Sequence, residues 1–251
     1  MWGKVSYDTK VISLGPIAYW PMQETSGTTM TALVGSNGTY HGGVTFAADG
    51  PSGDCLPRSA SFDGTDDYAS AALNLSACNE ITVSFWMWWS SFASVNRQAL
   101  EHTADYNSAT GWVVYPNTAY SYLSTSLLEA SQSYGAGHWR NQFVARPSGS
   151  VWHHYAVRYS RASGSHGSTT DIRIDATSPT PQQTVNSDVM TGNFTNSTLY
   201  VMSRGGSSRW GQGRMAALAV FPRWLTDNEC NQLASPCPRP RTSVGILVAR
   251  A

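Results

Sequence analysis

A chain of 251 residues, 41% of them apolar, is long enough to bury one substantial core; its formal net charge is zero and its only lysines are Lys4 and Lys10, so no basic surface invites nucleic acid. Charged residues make up 13%, about half the usual share, which leaves Ser, Thr, Asn, Gln and Gly to build the solvated surface. No apolar run approaches the roughly 18 residues of a membrane-spanning helix, which argues against membrane insertion, and the opening MWGKVSYD lacks the apolar stretch of a secretory signal.

Short β-branched or aromatic runs alternate with Gly/Ser/Thr-rich stretches from end to end, an all-β pattern with frequent turns. The first predicted strand covers 17–22, and the GSNG turn follows at 35–38. Strands at 59–62 and 68–71 flank an acidic turn within the SFDGTDDY run of 61–68. The clearest strand is ITVSFWMWW at 81–89. Ile81, Val83, Phe85, Met87 and Trp89 alternate towards a core, and Thr82, Ser84, Trp86 and Trp88 take the other face. Further strands are predicted at 111–115, 141–145, 152–160, 170–176, 198–203 and 213–221, with glycine-bearing turns at 163–167 and 205–206. LTDNECNQL at 225–233 is the one predicted helix, capped by Thr226 or Asp227, with Glu229 near its first turn. The prolines of SPCPRPR at 235–241 forbid both helix and central strand. The apolar TSVGILVA beyond it, at 242–249, suits either addition to a neighbouring subunit's sheet or closure of this domain's own. The expected organisation is an N-terminal segment at 1–14, one domain at 15–234, and a tether with an apolar arm at 235–251.

Several side chains suggest a site. Trp86 and Trp88 stand at i and i+2 on one strand face and can make a stacking platform for a sugar ring, with Trp112, Tyr115 and Trp139 completing a groove. The competing reading is that this face is covered, by the 100–146 insertion or by the C-terminal arm. The 101–146 segment itself mixes Tyr106, Trp112, Tyr115, Tyr120, Tyr122, Tyr134 and Trp139 with small polar residues, the composition of a contact surface. Asp63, Asp66 and Asp67 offer hard oxygen ligands for Ca²⁺, while Asx-turn hydrogen bonding accounts for the same residues without metal. His153 and His154 point to opposite faces of a strand and cannot chelate one ion together. Cys55, Cys78, Cys230 and Cys237 lack zinc-knuckle spacing; they permit three disulfide pairings, of which Cys230–Cys237 is the first to check against free thiols.

Six segments in order carry a family resemblance: PIAYWPMQETSGTT at 16–29, NGTYHGGV at 37–44, the two runs at 61–68 and 81–88, WHHYAVRY at 152–159, and GRMAALAVF with WLTDNE at 213–229. Together they resemble a laminin-G-like, concanavalin A-like lectin-glucanase domain of the kind found in bacteriophage virion proteins. The resemblance implies an all-β, two-sheet antiparallel jelly-roll β-sandwich with one short C-terminal helix and a C-terminal arm. It also implies a last strand with an acidic pair after its glycine, often tied to calcium. Here that place holds Met215-Ala-Ala-Leu218, which puts a family-type calcium site in doubt. The family's glucanases need a Glu-x-Asp-x-x-Glu triplet, and none of the five glutamates here stands in one.

The expectation is therefore a non-catalytic structural or binding protein without a required cofactor: an accessory component on a bacteriophage virion, as a capsid decoration, head fibre or tail-associated jelly roll. Its partners would be other virion proteins, copies of itself and a cell-surface glycan. The alternative is a stand-alone, extracellular lectin or adhesion domain.

Overall fold

In the computed structural model the described residues are 6–90, 97–103, 111–117, 122–128, 139–145, 147–161, 164–166, 169–180, 182–185 and 192–236. Along the chain run α1 (Tyr7–Ser13), β1 (Ala18–Trp20), β2 (Thr29–Met30), β3 (Gly38–His41), β4 (Thr45–Ser52), β5 (Leu56–Asp63), β6 (Tyr68–Asn74), β7 (Glu80–Trp89), β8 (Leu100–His102), β9 (Gly111–Asn117), β10 (Tyr122–Leu128), β11 (Trp139–Ala145), β12 (Trp152–Ser160), β13 (Thr169–Ile174), β14 (Gln182–Val185), β15 (Asn196–Val201), β16 (Gln212–Phe221) and α2 (Asp227–Leu233). They form two antiparallel sheets. The first has the order β13-β12-β7-β16-β5-β4 with β1 beside β16; the second runs β14-β11-β10-β9-β8-β15-β6-β3-β2. Residues 237–251, with the expected C-terminal arm, lie outside the described residues.

Alternation builds the main core. Ile81, Val83, Phe85, Met87 and Trp89 of β7 enter the space between the sheets and meet Leu199 and Val201 of β15, Ala69, Ala71 and Leu73 of β6, and Trp112 and Val114 of β9. Halfway along β16 a bulge interrupts the pairing with β7, and Ala217 takes a left-handed φ of 53°. The bulge marks a change of partner. Residues 212–215 pair with β5, whereas 218–220 pair with β1.

A second core lies on the outer face of the first sheet, beneath the two helices. The sequence was expected to give one helix; α1 is an additional one. Ser6 caps it by accepting from Thr9 N at 3.1 Å, and Tyr7 and Val11, one turn apart, bury against the sheet. Seven residues are too few to hold a helix alone, so its stability comes from docking. Tyr19 on β1 donates to Asp8 at 2.5 Å, and Lys10 Nζ donates to the carbonyls of Gln232, at 2.6 Å, and Ser235. α2 begins with the capping box of Thr226 and Glu229 and buries Cys230 and Leu233. Arg158 on β12 fastens its first turn, with Nε to Asp171 and Nη1 to Asp227, both at 2.8 Å; Arg173 on β13 reaches Asp227 at 3.0 Å.

The cysteines correct one expectation. Cys230 is a free thiol turned into the second core, so the Cys230–Cys237 bridge does not form; Cys78 is also free and buried, and Cys55 is disulfide-bonded to a partner outside the described residues. Burial pushes the Cys230 thiol up to about 11.

Candidate functional site

The outer face of β7 holds Thr82, Ser84, Trp86 and Trp88, and their environments diverge along the strand. Trp86 lies under α1. It is 5% exposed, and its Nε1 donates to Tyr7 Oη at 3.1 Å; that hydroxyl in turn donates to the carbonyl of Leu233 at 2.9 Å. Burial, the largest influence, holds the Tyr7 phenol well above its ordinary range, so it stays protonated and serves as a fixed link between α1, α2 and the sheet. Trp86 therefore offers no open ring to a ligand. Among the described residues the cover is α1.

Trp88 lies two residues further on and is only partly buried. The antiparallel register places Trp152 of β12 directly opposite it on one side and Arg214 of β16 on the other, with Ser61 of β5 next in line. All four are half-buried. The Arg214 guanidinium carbon sits 4.7 Å from the Trp88 ring centroid, a cation–π arrangement that fixes both side chains. A row of two indoles, a guanidinium and a hydroxyl thus crosses four strands. It offers apolar ring faces beside a fork of N–H donors, suited to a planar or hydroxyl-rich ligand.

The other expected aromatics do not join this row. Trp112 is fully buried on the second sheet's inner face, stacked with His102 at 5.7 Å and close to Tyr159 at 5.5 Å. The alternation that sends Trp112 and Val114 inward sends Tyr115 to the outer face of the same sheet, where it is 8% exposed. Trp139 belongs to β11 of the second sheet, and its side chain lies outside the described residues. A single groove combining Trp86, Trp88, Trp112 and Tyr115 therefore does not form. Trp152, a core residue from its sequence context, does pack partly buried against the second core, and Arg214 was not anticipated. Only the strand register, invisible in the sequence, brings them beside Trp88.

Asp63, Asp66 and Asp67 do converge, with one carboxylate oxygen from each within 4.8 Å of the others. Asp67 is 2% exposed and already committed: one oxygen accepts from Gly43 N, the other from Asp63 N at 3.0 Å. Asp63 accepts from Thr65 N at 2.7 Å, and Arg97 Nη1 donates to Gly64 O at 3.3 Å, placing a positive charge against the same turn. These residues fit a hydrogen-bonded acidic turn better than a calcium cage, which needs six to eight oxygens turned towards one ion.

The two adjacent histidines do face apart. His153 Nδ1 meets Asp175 at 2.5 Å, whereas His154 is buried under α1 with Nε2 2.9 Å from Ser84 Oγ. Burial, aided by the charge of Lys10, lowers the His154 imidazole to about 3 and keeps it neutral. This Ser–His pair is sealed from substrate, and it satisfies two polar groups inside the second core.

No protein-family model matches the chain, and no curated protein matches it. Solved structures do. Domain 4 of AbnA, a GH43 extracellular arabinanase from Geobacillus stearothermophilus, in complex with arabinotriose, superposes with a TM-score of 0.56 at 16% identity, over 88% of this chain and 98% of that one. The receptor binding domain of botulinum neurotoxin C/D mosaic serotype gives 0.64 at 10% identity, and Trypanosoma rangeli sialidase in complex with 2,3-difluorosialic acid gives 0.59 at 10%. The fold is a jelly-roll β-sandwich. The chain spans 50% of that toxin domain and 32% of that sialidase, and nearly all of the arabinanase domain.

Proposed function

We propose that the chain is a non-catalytic binding domain that holds a glycan on the Trp152–Trp88–Arg214 row. The observation that carries the reading is the register. It leaves two cross-strand indoles half-buried at the point where α1 no longer covers the sheet, with a guanidinium fixed over one of them. Sugar rings present C–H faces to indoles and hydroxyls to a guanidinium, so stacking and hydrogen bonding act on the same ring. Binding is also the role printed for two of the similar structures, the arabinotriose-bound domain and the toxin receptor binding domain. A non-catalytic role is supported by three of the five glutamates, which are held by neighbours: Glu24 by Tyr40 and Thr31, Glu80 by His166, and Glu229 by Arg223.

Glycan-array screening followed by titration of the best hit tests the reading. Trp88→Ala and Arg214→Ala are expected to abolish binding while costing only about 1–2 kcal/mol of stability, because both side chains are only half-buried. Binding unchanged in both variants would refute it. The narrower role, an accessory protein on a bacteriophage virion contacting capsid or tail proteins and copies of itself, is supported by the sequence alone. Mass spectrometry of gradient-purified particles tests it; a stoichiometry near that of the capsid protein supports decoration, and absence from particles turns the reading to an extracellular lectin.

A further inference from the structure

The outer face of the second sheet carries a separate aromatic group that the Trp88 row does not touch. In β3, β6 and β15 the alternate residues Tyr40, Ala69, Ala71, Leu199 and Val201 enter the main core, which turns His41, Tyr68, Ser70 and Tyr200 outward. The register sets His41 opposite Tyr68, and Ser70 opposite both Thr39 and Tyr200. The imidazole and the Tyr68 phenol stack at 4.3 Å with 9° between their planes, and Tyr200 lies 6.4 Å from Tyr68, tilted by 44°. Ser70 Oγ is 3.0 Å from His41 Nε2 and holds that ring in place. All four side chains are half-buried, neither core nor free surface.

One end of this group is walled. After Val201 the chain turns sharply at Met202, whose φ is 62°, and the 203–208 turn closes through the Arg204–Ser208 bridge. Gly206 N donates to Ser203 Oγ at 3.2 Å. A Cβ on Gly206 would lie 2.9–3.1 Å from three atoms of the Tyr68 ring, at a φ of +68° that favours glycine. Backbone thus abuts the edge of Tyr68, and the two tilted ring planes open away from it.

We propose that His41, Tyr68, Ser70 and Tyr200 form a second binding site, for a neutral saccharide. Tilted aromatic planes accept the C–H faces of a sugar ring, and the imidazole, the serine and the two phenols supply hydrogen bonds at its rim. None of the four is Asp, Glu, Lys or Arg, and the charged residue in register beside them, Glu101 opposite Tyr200, is buried and acidic, which disfavours an anionic sugar or a phosphate. The site faces away from the first sheet, so a domain binding at both places would be bivalent.

The test is two-dimensional aromatic NMR on protein carrying labelled Tyr, His and Trp rings, titrated separately with arabinotriose, maltotriose and cellotriose. The Tyr200 and His41 resonances are expected to shift saturably with at least one sugar. Tyr200→Ala should weaken that binding about tenfold while lowering the melting temperature by only about 2–4 °C, and Tyr200→Phe, which keeps the stacking face, should stay within about threefold. Tyr and His rings silent to all three sugars, or an affinity unchanged by Tyr200→Ala, would overturn the proposal. The Trp88 resonance reports the first-sheet row separately, so either site can fail without the other.

Discussion

Whether the Trp86 face is closed turns on one hydroxyl. Tyr7 Oη accepts from Trp86 Nε1 and donates to Leu233 O, at 3.1 and 2.9 Å. Tyr7→Phe keeps the ring and its packing but leaves a buried indole N–H and a helix-terminal carbonyl unpaired. An unsatisfied buried group costs about 1–3 kcal/mol, and the carbonyl, at the end of α2, lies at the lower end of that range; the loss should be about 2–4 kcal/mol. In a chain of 251 residues this lowers the melting temperature by roughly 5–10 °C. Urea denaturation followed by tryptophan fluorescence and by far-ultraviolet circular dichroism gives the number. Trp86→Ala, which opens a cavity between α1 and the sheet, should cost about 3–5 kcal/mol, well above the figure expected for Trp88→Ala. A Tyr7→Phe loss below about 0.5 kcal/mol would mean that the hydroxyl sees water, that α1 is not docked, and that Trp86 is open after all.

Acid should loosen α2. Two hydrogen bonds from Arg223, together with the Thr226 cap, draw the Glu229 carboxyl down to about 2, and Asp227 is held low chiefly by its hydrogen bond to Arg158. Groups depressed in the folded state stabilise above the ordinary carboxylate range and lose that contribution as pH falls from about 4.5 towards 2. The Glu229 share is about 2 kcal/mol after solvent screening; a melting temperature flat between pH 5 and 3 would contradict it. Asp67→Ala strips the acceptor from Gly43 N and Asp63 N and should cost about 2–3 kcal/mol by chemical denaturation. Wild-type protein should melt within about 1 °C with and without millimolar calcium; a calcium-induced rise of several degrees would assign the acidic turn to the metal.

Ten predicted strands overlap observed ones; β7 shows why, since its apolar residues alternate and alternation is a local property. Several missed elements lack it. Leu100–His102 is three residues long and wholly buried, so no period shows. Thr45–Ser52 contains Gly50 and Pro51 and pairs with β5 through two register shifts, as an edge strand tolerates. The sequence YDTKVIS of α1 offers only two buried positions, too few for a helical period. The candidate site was half legible for the same reason. Alternation put Trp86 and Trp88 on one face, but their different fates depend on Tyr7, 79 positions from Trp86, and on strand pairings that bring Trp152 and Arg214 alongside Trp88.

The covered Trp86 follows from small residues on the last strand. Beyond its glycine this chain has Ala216 and Ala217, with Ala219 further on, and all three lie in the core beneath α1 and α2. A carboxylate there would be sealed away from water, at a cost of several kcal/mol unless it were paired, so acidic side chains at these positions would oppose docking of the helices. Small side chains instead let the helices approach the sheet closely, and Tyr7, Tyr19 and Trp86 fill the space between them. Trp88 is only partly buried, and Arg214, two residues ahead of Ala216 on the same strand face, is half-buried beside it. The end of the last strand thus carries the half-buried row of Arg214, Trp88 and Trp152 beyond the residues packed under the helices.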